Sequence, residues 1–181
     1  MGEQTKNPET SRASALDGIA SRWAAWLRRT DSLEVVVEIE ALGERVACAN
    51  RVLRRTGLLR RVEWVEGGVP DELVRDAVAL RVSTTRADGA AWTWAFLSIS
   101  ARGEDLTADF DYERRPDLVP PCTRSDCEAE LRLFPRDPVR LPAWMMHLQS
   151  DGIEEVSEAD SRSGDGAGSR RLMGLLALRP R

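Results

Sequence analysis

Two β-prone runs separated by a short polar turn constrain this chain most. Residues 91–101 read Ala-Trp-Thr-Trp-Ala-Phe-Leu-Ser-Ile-Ser-Ala, and residues 106–112 read Leu-Thr-Ala-Asp-Phe-Asp-Tyr. Between them lies Arg102-Gly103-Glu104-Asp105. In the second run Leu106, Ala108, Phe110 and Tyr112 fall on one side, and Thr107, Asp109 and Asp111 on the other. Successive side chains of a strand point to opposite faces, so this pattern predicts a β-hairpin with one buried and one wet face. An all-helical fold is excluded.

The rest of the chain alternates between two periods. Val35, Val37, Ile39 and Ala41 alternate with Glu38 and Glu40, which predicts a strand over 33–42 with one wet face. Gly43-Glu44 reads as a turn, and Arg45 to Leu53 as a second strand pairing back. Residues 58–65 read as a third strand, although 51–61 also admits a helix. Ahead of these, Leu16, Ile19, Ala20, Trp23, Trp26 and Leu27 recur at helical spacing from Ala13 onward. Asp17 near the start and Arg28-Arg29 at the end suit the helix dipole. After Gly67-Gly68, Pro70 sits at a plausible first helical position, followed by Asp71, Glu72 and the apolar set Leu73, Val74, Ala77, Val78 and Leu80, with Arg81 on the same helix. Past the hairpin, Glu113 to Pro121 is a Pro-rich connector. Ser125 and Glu128 have capping-box spacing and open a helix through Leu131, Leu133 and Phe134. Pro135 stops it, and Val139, Leu141, Trp144, Met145 and Leu148 make a last amphipathic helix.

This order of elements predicts one α+β domain over 13–149, an antiparallel β-sheet with helices packed mainly on one face. Residues 1–12 are polar and expected to be disordered. Residues 150–181 are expected to be a disordered acidic tail with a short basic and apolar end. Residues 151–169 carry six acids against Arg162, a net −5, while the whole chain is −4; the remainder sums to +1. The acidity of the domain itself is therefore local, at the hairpin.

These features exclude several functions. A chain this close to neutral gives no bulk attraction to phosphate backbones or anionic lipid, so no direct nucleic-acid or membrane partner is expected. The longest apolar run, Ala90 to Ile99, is too short to span a bilayer, and residues 1–12 lack the apolar segment of a signal peptide, so a cytoplasmic protein is expected. Three cysteines, Cys48, Cys122 and Cys127, do not make a disulfide framework, and Cys122, Cys127 and His147 lack the paired spacing of a zinc site. No metal or cofactor is expected. With one histidine and no nucleotide-binding or nucleophile motif, any chemistry would rest on carboxylates, of which Asp105, Asp109 and Asp111 are the concentrated set. Asp109 and Asp111 lie on the same strand face about 7 Å apart. They can share a cation, hold an arginine or meet a basic partner; a plain solvated face beside Arg102, Arg114 or Arg115 is the simpler reading. Trp92 and Trp94 also share one side of their strand, where core packing is expected.

The hairpin resembles that of the YezG-like immunity proteins, antitoxins of bacterial polymorphic toxin systems. Their recurring core is a Trp-led strand, a Gly turn and a second strand in which Asp or Asn precedes Phe-x-Tyr and an acid. Here these are Trp92 to Ser100, Gly103, and Asp109-Phe110-Asp111-Tyr112-Glu113. The stretch Glu130 to Met145 (ELRLFPRDPVRLPAWM) looks like the closing segment of actinobacterial members. The likeness in motifs covers 90–146, and over 14–89 it is one of element order. It implies a non-catalytic α+β protein that binds and neutralises a cognate toxin, often a nuclease. On that resemblance Asp109, Asp111 and Glu113 are expected to make electrostatic contacts to the toxin, with Tyr112 or Trp144 as an aromatic anchor. The alternative is a small regulatory or chaperone-like binding module of a secretion system.

Overall fold

Strand and helix positions follow the two periods closely. The computed structural model describes residues 8–102 and 105–150. Its elements are α1 (Pro8–Arg29), β1 (Ser32–Leu42), β2 (Arg45–Thr56), β3 (Arg61–Glu66), α2 (Asp71–Ser83), β4 (Trp94–Ser100), β5 (Thr107–Asp111), α3 (Arg124–Leu133), a 3-10 turn (Pro138–Arg140) and α4 (Ala143–Ser150). The strands form one antiparallel sheet in the order β3-β2-β1-β4-β5. The described residues form a single α+β domain. Gly103 and Glu104 of the hairpin turn, residues 1–7 and the acidic stretch from 151 onward lie outside the described residues.

Several boundaries differ from expectation for physical reasons. Residues 8–12, expected to be disordered, belong to α1, because Pro8 lacks an N–H and that loss costs nothing at a helix's first position. The helical reading of 51–61 gives way to β2 and β3, joined by a turn with Gly57 and Arg60 at positive φ; sheet pairing on both sides of β2 overrides the local pattern. Pro70 is the cap of α2 rather than its first residue. The final amphipathic stretch breaks into the 3-10 turn and α4, leaving Val139 in solvent.

The capping box on α3 is formed by Thr123 and Asp126, not Ser125 and Glu128. A box needs its first residue just outside the helix, and the chain becomes helical at Arg124. Glu128 pairs with Arg124 on the helix surface instead. Burial alone would raise the Asp126 pKa, but the N–H and hydroxyl of Thr123 together with Arg45, 2.7 Å away, outweigh it and hold the carboxyl below its ordinary value. A depressed folded-state pKa stabilises above the unfolded value, and the effect is lost as pH falls through the folded one. Asp126→Asn should therefore cost about 1 kcal/mol at pH 7. In urea unfolding at a series of pH values, its gap to wild type should close below about pH 4; a gap that stays constant would show that the carboxylate charge contributes nothing.

The core divides in two. On one face of the sheet Val35, Val37, Ile39, Ala95, Leu97 and Ile99 pack with Ile19, Trp23 and Leu27 of α1 and Leu73, Ala77 and Leu80 of α2. A smaller cluster joins Leu42, Leu118, Cys122, Cys127 and Met145 at the β1–β2 turn. Leu42 and its neighbour Ala47 belong to the opposite face by strand parity, so α3 and α4 wrap that end of the sheet while α1 and α2 line one face.

A buried clasp ties these parts together. Arg81 of α2 donates to both carboxylate oxygens of Glu130 on α3 at 2.8 Å, and both side chains are almost wholly buried. Glu130 also accepts the Gly43 N–H at 2.7 Å, while Arg81 donates to the carbonyls of Gly43 and Trp92. Gly43 has φ +60°, and a Cβ there would lie 2.9 Å from that of Ala129. Only glycine lets α3 approach the turn so closely. Beyond the clasp, buried Arg136 donates to the carbonyls of Ala91 and Tyr112 and fastens the segment after α3 to the residues that flank β4 and β5.

Candidate protein-binding face

The sheet face opposite α1 and α2 is built by register. Residues directly opposite one another in an antiparallel ladder share a face. Glu38 lies between Ala49 and Phe96, and Phe96 lies opposite Asp109. One step along, Glu40 lies between Ala47 and Trp94, and Trp94 lies opposite Asp111. Two adjacent rows therefore place an aromatic ring on β4 between carboxylates on β1 and β5. Ala47 and Ala49 add almost no bulk on β2, which opens two adjoining depressions that share Glu38 and Ala49. One is also lined by Val36, Arg51, Glu66 and Phe96, the other by Glu40 and Asp117.

Internal contacts hold this surface in place. Trp94 and Phe96 stack with centroids 6.5 Å apart, and the Trp94 indole donates to Glu38 at 2.5 Å. The Arg114 guanidinium sits 5.1 Å over the Trp94 ring and pairs with Glu40 at 2.9 Å and Glu38 at 3.9 Å. Glu40 also accepts the Asp117 N–H. On this face Arg114 itself is a planar cation lying on an aromatic ring with carboxylates at its rim. The far side of the same face differs: Arg51 covers Trp64 at 4.8 Å, and Leu58, Leu59 and Val62 are exposed nearby.

The five residues singled out on the hairpin and its flank are not brought together. Asp109 stands exposed on the outer face of the edge strand β5, with no partner among the described residues. Asp111 shares that face, but its Oδ1 accepts the N–H groups of Glu113 and Arg114 and closes the turn after β5. Tyr112 points to the core side, where its hydroxyl donates to the Thr84 carbonyl at 2.8 Å. Burial raises its phenol pKa even though Arg12 and Arg86 oppose that shift. Glu113 is exposed and lies 3.8 Å from Arg86, while its carbonyl accepts the Trp144 indole N–H at 2.8 Å. Trp144 is half-buried against the smaller core. Neither proposed aromatic anchor is free.

Trp92 and Trp94 do not share a side either. Trp92 precedes β4, is fully buried and donates to the Thr84 hydroxyl, whereas Trp94 faces outward. Glu38, Glu40, Trp94, Phe96 and Arg114 were the functional candidates that sequence reasoning did not assemble. The available signal was phase: Ala95, Leu97 and Ile99 form the wholly aliphatic set, so the aromatic set must take the other face.

The remaining titratable clusters are structural. Cys122 and Cys127 are buried in the smaller core, and burial with nearby Cys122, Asp126 and Glu130 pushes the Cys127 thiol up to about 11. Burial of this kind favours the thiol over the thiolate that a metal ion binds. Among the described residues no group of three His, Cys, Asp or Glu side chains is placed to hold a metal ion, and no helix is long and apolar enough to cross a membrane. Comparison of the chain with protein-family models gives no match, and comparison with curated proteins gives none.

Proposed function

We propose that this chain is a non-catalytic immunity protein that binds a cognate bacterial toxin, such as a nuclease, and covers a basic surface of it with the outer face of the sheet. The observation that carries this reading is the pair of rows Glu38–Phe96–Asp109 and Glu40–Trp94–Asp111, left open by the helices. A toxin arginine or lysine laid on Phe96 would meet Glu38 on one side and Asp109 on the other, beside Arg114, which lies on Trp94 against Glu38 and Glu40. Aromatic anchors of this kind supply affinity, and the surrounding carboxylates supply association rate and choice of partner.

Co-purification with the product of the adjacent gene, followed by growth rescue of cells expressing that product, tests the reading. Glu38→Arg with Asp109→Arg should abolish rescue and weaken binding at least tenfold, as expected when like charges face each other across an interface. Trp144→Phe, which keeps the ring against the smaller core, should leave both unchanged. Full rescue by the doubly reversed variant would remove the outer face from the interaction. Capture of a secretion-apparatus component in place of a toxin would favour the chaperone-like module.

A further inference from the structure

The outer face is divided by charge. Glu38, Glu40, Asp109 and Asp111 flank Trp94 and Phe96 on the β1, β4 and β5 side. Arg51 and Arg55 share the face on β2, paired across to Glu66 and Val62 of β3. The chain beyond Ser150 is divided the same way. Residues 151–169 are net −5, and residues 170–181 carry four arginines, no acid and five large aliphatic side chains. Ser150 ends α4, whose Met145 and Leu148 pack in the cluster with outward-pointing Leu42 and Ala47. The chain therefore leaves the domain beside this face.

We infer that residues 170–181 dock on the acidic, aromatic half of this face in the same chain and occupy it until a partner displaces them. The guarding role rests on the face being the binding surface proposed above; the docking itself does not. Four guanidinium groups can add to this acidic patch, where Asp109 has no partner among the described residues and Glu38 and Glu40 share the single cation Arg114, and the large apolar side chains between them can lie against Phe96. Reach is sufficient. Five strands span about 19 Å, and a random-coil tether of nineteen residues would have a root-mean-square span of about 25 Å. Tethering at that length gives an effective concentration in the millimolar range, so a segment with a Kd of about 1 mM as a free peptide fills half the sites. Salt opposes the contact, because at 1 M the screening length falls to about 3 Å.

The test uses the full-length 15N-labelled chain without any partner. Trp94→Phe removes one of the six indole N–H signals and so identifies it. At low salt the Trp94 signal should differ between wild type and the variant with Arg170, Arg171, Arg179 and Arg181 all changed to Ser. Added salt should move the wild-type signal to the variant position, and dilution should leave it unchanged. Identical signals at low salt overturn the docking. A difference that fades on dilution overturns the intramolecular form, since the segment then sits on another copy. Binding of the co-purified toxin should tighten severalfold in the serine variant, and unchanged affinity overturns the guarding role. Partner binding that survives charge reversal at Glu38 and Asp109 defeats the proposed function while the indole result stands.

Discussion

Truncating Glu130 to alanine should lower the stability of the domain by about 3–5 kcal/mol, because it leaves the Arg81 guanidinium charged, buried and unpaired. It also orphans the Gly43 N–H that Glu130 accepts. For a domain of this size that corresponds to a fall in melting temperature of roughly 10 °C. Replacing both partners with apolar residues is often neutral for a buried pair, but not here. Arg81 also satisfies the carbonyls of Gly43 and Trp92, and those groups stay buried whatever replaces it. Glu130→Leu with Arg81→Met should therefore recover only part of the loss, and a double-mutant cycle should give a coupling of about 2 kcal/mol. Additive single-variant losses in urea unfolding would show that the two side chains act independently.

Gly89→Ala should be at least as damaging. Gly89 has φ +83°, and a Cβ built there falls 1.8 Å from the carbonyl oxygen of Pro135. No rotamer relieves a clash between Cβ and backbone, so the connector after α3 must move away from the hairpin. Arg136, one residue further on, would lose its hold on the Ala91 and Tyr112 carbonyls. A loss above about 4 kcal/mol, or failure to fold, is expected. Gly57→Ala is the control: it has nearly the same backbone strain at φ +67° with open space around it. It should cost about 1 kcal/mol. If the two variants melt together, the close approach at Gly89 carries no weight.

Local pattern made most of the fold legible. The α1 stripe from Ile19 to Leu27, the alternation in β1, and the β4–β5 hairpin are all stated by their own residues, because each buries one face against a single core. What escaped depends on partners far away in sequence. The phase of β4 carries the outward facing of Trp94, but its pairing with Glu38, 56 residues upstream, is not written in the local pattern. The α3 cap depends on where the chain leaves the connector and on Arg45 reaching Asp126, which spacing within the helix does not encode. Glu130 reads locally as one more polar residue of a charged helix, yet it is wholly buried by a guanidinium from another element. The acidic hairpin was legible as a surface, and Asp109 holds its place on it. Its opposition to Glu38 across Phe96 needed the sheet register.

The clasp also bears on how long the folded chain lasts. Glu130 lies 87 residues from Gly43 and 49 from Arg81 along the chain, and contacts of such long range are expected to close late in folding. Interactions that form after the folding barrier is crossed leave the folding rate nearly unchanged and slow unfolding instead. The Glu130→Ala loss should thus appear on the unfolding arm of the chevron. In the folded protein, the guanidinium–carboxylate contact between α2 and α3 is then expected to act as a brake on opening.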